Sequence, residues 1–188
     1  NEPVDELIGK KFIMYIGRPT PHKNLRRLID AFALLQKKYP DLTLALAGKK
    51  DSNYARHETY VNEHGIKNVV FTGFISDEQL RWMYENTAVY CFPSLSEGFG
   101  LPGLEAMLHG APVASSTATC LPETHGDAAH YFDPFSVEDI AKSIADILSD
   151  DKLRNELVKK GNNHVKTFSW QRMAEQTLAV YEKYGRKS

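Results

Sequence analysis

Short apolar runs that stop at glycine or proline, each followed by a helical stretch, constrain the fold of this chain more than any other feature. Lys11–Gly17 is the first run. After a loop, Leu25, Leu28, Ile29, Phe32 and Leu35 recur at helical spacing up to Tyr39, and Pro40 stops them. Leu42–Ala47 is the second run, ending at Gly48, and a polar helix from Tyr54 to His64 closes at Gly65. Val69–Thr72 is the third run, followed by Gly73. Ser76 and Gln79 fit a capping box for a helix reaching about Asn86. Ala88–Phe92 is the fourth run, stopped by Pro93. It feeds a glycine-rich loop and a helix to His109, with Gly110 behind it. Pro112–Ser115 and Ala129–Phe132 complete about six strands. Helices over 137–148, 151–165 and 170–184 follow, with Ser136 and Ser149 as the expected N-caps of the first two.

Continuous apolar strands alternating with helices over short connections predict an α/β fold, a parallel sheet with helices on both faces. In such a sheet ligands sit beyond the carboxyl ends of the strands. The loops there carry Gly17, Arg18 and Lys23 after the first strand, Gly48 and Lys49 after the second, Phe74 and Ile75 after the third, and Glu97–Leu101 after the fourth. All open on one edge. Arg18 and Lys23, stiffened by Pro19 and Pro21, offer a guanidinium fork and an ammonium, the charges that a diphosphate requires.

The run Ser96–Met107 reads as a loop turning into a helix. Pro102 suits a first helical turn. Gly98 and Gly100 would let the backbone approach a ligand, and a helix start favours an anion. Glu97 stands before that start, and Glu105 about one turn inside. Two carboxylates beside an anion site make sense as holders of hydroxyls while a phosphate takes the amides. A sugar nucleotide has hydroxyls on both sides of its diphosphate. A helix start decorated with acids is the plainer reading, since the dipole favours them.

A length of 188 residues suggests one domain, placed at 11–188, with 1–10 reading as a linker from a longer protein. A net charge of −1 with 25% charged residues argues against nucleic acid or a general membrane-surface role. Cys91 and Cys120 lack metal spacing and read as free thiols of a reducing compartment.

Gly17-Arg18 with Lys23, the run Ser94–Met107, Gly110–Val113, Pro122-Glu123, Gly126–Ala129, Asp133-Pro134 and Phe168–Trp170 resemble the C-terminal half of retaining glycosyltransferases of family 4, of GT-B architecture, from about Lys11 to Tyr184. The resemblance implies a Rossmann-like domain that binds a nucleotide diphosphate sugar, linked to GDP or UDP, without a metal. In it Arg18 and Lys23 would clamp the diphosphate and stabilise the departing nucleotide. Glu97 would contact the transferred sugar, a hexose such as mannose, and the Gly98, Phe99, Gly100 and Leu101 amides would touch sugar or phosphate. Glu105 would hold the ribose, and Phe74, Ile75 and Leu80 would form the base pocket. Glu97, Arg18 and Lys23 would carry the chemistry. The family's second, N-terminal domain carries the acceptor site, so the isolated chain is expected to bind donor weakly and transfer little. The parent enzyme is expected in the cytoplasm, with association at the cytoplasmic face of a membrane left open.

Three alternatives compete with this reading. A sugar-nucleotide epimerase would need acids and histidines suited to elimination, which are missing. A non-catalytic module sits poorly with intact Arg18, Lys23, Glu97 and Glu105. A dehydrogenase lacks its glycine-rich turn after the first strand. His22, His109, His125 and His130 read as loop, helix-end, loop and strand residues, and Glu123 as a residue that shapes its loop. Trp82, Tyr84 and Trp170 read as packing.

Overall fold

Six parallel strands form one sheet in the computed structural model, which describes residues 2–185. They are β1 (Phe12–Ile16), β2 (Thr43–Ala47), β3 (Val69–Gly73), β4 (Val89–Phe92), β5 (Val113–Ser116) and β6 (Ala129–Phe132). Their order across the sheet is β3-β2-β1-β4-β5-β6. The helices are α1 (Leu25–Leu35), α2 (Ser52–Glu63), α3 (Asp77–Asn86), α4 (Leu101–Leu108), α5 (Leu121–His125), α6 (Val137–Ser149), α7 (Asp151–His164) and α8 (Trp170–Tyr184).

The central strands are apolar throughout because both of their faces are covered. Ile13, Tyr15, Leu44, Leu46, Val89 and Cys91 point into a core shared with α1 and α6. The intervening residues Phe12, Met14, Ala45, Ala47, Tyr90 and Phe92 point into a second core with α3 and α4. Leu28, Ile29 and Phe32 of α1 are fully buried. Truncating Phe32 to alanine would cost about 3–5 kcal/mol.

Most expected boundaries hold to within one or two residues, and the departures have local causes. α1 ends at Leu35, because the amides of Lys38 and Tyr39 both turn back to the Leu35 carbonyl. α2 starts earlier than expected, since the Asp51 carboxylate caps it by accepting from the amides of Asn53 and Tyr54. The capping box at Ser76 and Gln79 forms as expected, with both bonds present. Ser136 caps α6, but Ser149 does not cap α7. The Ser149 hydroxyl turns back to the Ala145 carbonyl at 2.8 Å, and Asp150 accepts from the amides of Lys152 and Leu153 instead.

Two segments differ more. Within the stretch expected to be a linker, Val4, just before a short 3-10 turn (Asp5–Leu7), and Leu7, its last residue, are buried against the α3 and α4 side of the sheet. The first residue and residues 186–188 lie outside the described residues. α5 falls where the sequence reads as loop; at five residues it is too short to show a period, and it places Glu123 in a helix. Trp82 stacks on Phe12, with centroids 6.0 Å apart, and Tyr84 is buried, both as expected of packing residues. Trp170 is 73% exposed and is not core. α8 buries none of its side chains.

Candidate functional site

The chain runs β1, β2, β3 outward to one side and then returns to lay β4 on the other side of β1. That reversal leaves a crevice beyond the carboxyl ends of β1 and β4, the place where open α/β sheets hold ligands. The basic turn follows β1 and the glutamate loop follows β4, so the two become neighbours.

Three contacts join them. Lys23 Nζ donates to Glu97 Oε1 at 2.6 Å. The Leu95 amide donates to the His22 carbonyl at 2.7 Å. Asn24, buried and in a left-handed conformation (φ 59°), donates from Nδ2 to the Pro93 carbonyl at 3.0 Å and to the Pro134 carbonyl at 2.8 Å. Asn24 thus ties the basic turn to the end of β4 and to the turn after β6. Sequence reading passed over it; an asparagine just before a helix reads as an ordinary cap. Arg18 is exposed, and among the described residues its guanidinium meets no carboxylate. A free cation beside a paired one leaves room for an anion.

A tyrosine anchors the base of the turn. The Tyr54 hydroxyl lies 3.0 Å from the Gly17 carbonyl and 2.8 Å from the Ala47 carbonyl. Burial pushes its pKa up, with Asp51 adding to the effect, so the phenol keeps its proton. Gly48 packs so closely here that a Cβ would run into the Gly17 carbonyl.

Past β4, Gly100 has φ 99° and precedes α4, whose first turn contains Pro102. A Cβ at Gly100 would meet Leu121 at 2.7 Å, so this glycine is required by the fold as well as by any ligand. Gly98 faces open space. In α4's first turn Pro102 has no amide proton and Gly103 donates to the Gly100 carbonyl at 3.1 Å, which leaves the Leu101 amide, among the described residues, as the free N–H at that helix start. Glu105, one turn in, is exposed, and the Tyr84 hydroxyl of α3 donates to its Oε2 at 3.3 Å. Burial first and Glu105 second hold the Tyr84 phenol well above its ordinary pKa of 10.0.

The remaining candidates lie along the same edge. Phe74 follows β3, two strands from β1, and is 84% exposed. Ile75 and Leu80 are half-buried against the α3 and α4 core. Lys49 is exposed after β2. His22 is exposed and reaches Thr20 at 3.4 Å. His109 ends α4 and stacks on Tyr84, and His130 lies in β6 beside Asp146, both as expected. His125, expected as a loop residue, ends α5 instead. It is fully buried, with Nε2 3.1 Å from the Gly100 carbonyl and Nδ1 3.2 Å from Ser115 Oγ. Cys91 is buried and Cys120 half-buried, both with free thiols.

This six-stranded parallel sheet with helices on both faces is that of a GT-B glycosyltransferase domain, and the family model described as glycosyl transferases group 1 matches residues 3–164. The chain belongs to that family. It is 35% identical over 182 residues to the O-antigen chain mannosyltransferase B of Escherichia coli, covering 94% of this chain and 47% of that protein. Identity to the MMP alpha-(1->4)-mannosyltransferase of Mycolicibacterium hassiacum is 34%, covering 97% and 45% respectively. The sucrose-phosphate synthase of Thermosynechococcus elongatus superposes with TM-score 0.83 at 30% identity, over 97% of this chain and 46% of that one. A C-terminal domain of a group 1 glycosyl transferase from Francisella tularensis superposes with TM-score 0.72 at 29% identity, over 84% and 85%. The chain spans about half the length of the curated relatives it matches. Among the described residues no helix is long and apolar enough to cross a membrane.

Proposed function

We propose that the chain is the donor-binding half of a retaining glycosyltransferase that moves a hexosyl group, in the first instance mannosyl, from a nucleotide diphosphate sugar to a glycan or lipid-linked acceptor. The observation that carries this reading is the meeting of Lys23 and Glu97 beyond the ends of β1 and β4, with Arg18 exposed on the same turn as Lys23. The mannosyltransferase names of two relatives favour mannose as the transferred sugar, and GDP-mannose is the donor tried first.

In this reading Arg18, Lys23 and the Leu101 amide at the start of α4 hold the diphosphate. As the glycosidic bond breaks, negative charge collects on the β-phosphate, and two fixed cations with that N–H dipole stabilise it there. Glu97 holds hydroxyls of the transferred sugar and keeps Lys23 in place. Glu105, steadied by Tyr84, holds the ribose. Phe74, Ile75 and Leu80 supply an apolar ledge for the base. No divalent metal is required, because protein cations already balance the leaving group.

A second domain would bring the acceptor. The exposed Met173, Leu178, Val180, Tyr181 and Tyr184 of α8 are a surface that such a domain could cover. The isolated chain therefore binds donor weakly and transfers little. Calorimetric titration with GDP, UDP, ADP and their sugars tests the reading. Selective binding of one nucleotide series is expected. Binding of none, or sustained transfer to an acceptor by the lone chain, overturns it in whole or in its two-domain part.

A further inference from the structure

The glutamate loop is gripped from behind by one segment, the turn after β5 together with α5. Thr119 sits in a left-handed conformation, φ 50°, where a β-branched residue is uncommon. Its Oγ1 accepts from the Glu97 amide at 3.0 Å and donates to the Glu97 carbonyl at 3.2 Å. The Cys120 thiol also donates to that carbonyl, at 3.2 Å. Three residues past Glu97, His125 takes the Gly100 carbonyl at 3.1 Å. A carbonyl can only accept, so Nε2 carries the proton, and Nδ1 faces the Ser115 hydroxyl at 3.2 Å, whose single proton it shares with the Ser116 carbonyl, also at 3.2 Å. The imidazole is thus fixed to β5 at one nitrogen and holds the loop with the other. Gly103 lies against the same ring, where a Cβ would collide with it.

The grip is selective. Both ends of the run Glu97–Gly100 are held, so the directions of its carboxylate and amides follow from this segment. Among the described residues, neither Arg18 nor Glu105 makes a hydrogen bond to it; Glu105 is held by Tyr84 instead.

We propose that Thr119 and His125 are positioning residues that set the sugar end of the donor site first, reaching the diphosphate only indirectly through Lys23 and leaving the ribose grip at Glu105 alone. This rests on the donor-site reading above. Thr119 fixes the Glu97 backbone, and with it the carboxylate that meets Lys23. His125 fixes the Gly100 carbonyl and so the pitch of α4's first turn. Neither touches substrate.

The test uses Thr119→Val, which keeps the shape and removes both bonds, and Thr119→Ser, which restores the hydroxyl. His125→Gln, which keeps a donor toward Gly100, is paired with His125→Phe, which does not. Amide hydrogen exchange is followed by NMR in the ligand-free chain, and GDP-mannose and GDP are titrated as probes. Thr119→Val is expected to speed exchange at Glu97 by about tenfold, the size expected for one lost hydrogen bond, with Met14 of β1 unchanged. It should weaken GDP-mannose by a similar factor and leave GDP within about twofold, with Thr119→Ser close to the parent in both. His125→Phe should loosen residues 98–101, and His125→Gln should not. Unchanged exchange at residues 97–101 overturns the proposal, as does equal acceleration at Met14 or equal loss of GDP and GDP-mannose. If the parent chain binds neither probe, the donor-site reading fails, while the exchange measurement still decides whether this segment fixes the loop.

Discussion

Lys23 and Glu97, 74 residues apart in the chain, stand with Nζ 2.6 Å from Oε1, their side chains 21% and 13% exposed. Water reaches the pair only partly, so it lies between a screened surface bridge and a buried one. An arriving diphosphate would share Lys23 with Glu97. The carboxylate then governs how much charge the lysine has to offer.

Replacing Lys23 by alanine should destabilise the fold by about 1–2 kcal/mol, because it leaves Glu97 half-buried without its cation. For a chain of this size that is roughly a 2–8 °C fall in Tm. Lys23→Ala combined with Glu97→Ala should cost less than the sum of the two single changes. Thermal melting of the four proteins checks this.

Arg18 gives the opposite pattern. It is exposed and meets no carboxylate among the described residues, so Arg18→Ala should leave the unfolding free energy within about 0.5 kcal/mol of the parent. GDP binding should fall about tenfold while guanosine binding holds, since a charge-assisted bond to phosphate is worth roughly 1.5–3 kcal/mol. Glu105→Ala should weaken both ligands. Calorimetry on the two variants separates the diphosphate grip from the ribose grip.

His125 makes stability depend on pH. Burial holds its pKa below the ordinary 6.5, opposed by the bond to the Gly100 carbonyl. A base with a depressed folded-state pKa is fully stabilising above its unfolded value, and the benefit is lost as pH falls through the folded value. The parent should therefore lose more Tm than His125→Gln between pH 7.5 and pH 5. Parallel melts of the two proteins across that range give the difference curve.

Chelation should change nothing. Titration of GDP-mannose with and without excess EDTA is expected to give the same Kd. A loss on chelation that added magnesium restores would transfer the leaving-group role from Arg18 and Lys23 to a metal.

Much of the architecture could be read from residues because fully covered strands have to be apolar throughout, and glycine or proline marks where they stop. The edge that gathers the loops followed from the alternation alone. What escaped was set by distant partners or by short pieces of chain. Ser149 and Asp150 are both good caps, and only the nearby Ala145 carbonyl decides which one is free to act. Val4 and Leu7 are two apolar residues in a polar stretch, with no period to announce them. His125 looked like a loop histidine because its partners, Ser115 and Gly100, lie ten and twenty-five residues away. Trp170 has the spacing of a core residue but no neighbouring element to enclose it. In the site, periodicity placed Lys23 and Glu97 at one edge; their direct contact required the structure.

α8 has one more consequence. Its fifteen residues spend their apolar stripe on water, and a helix of that length draws little stability from its own backbone. In dilute solution it should fray well before the sheet melts. In concentrated solution the stripes of separate molecules should find each other, so sedimentation would drift upward with loading while circular dichroism gained helix. How this chain behaves on its own is therefore a matter of how crowded it is.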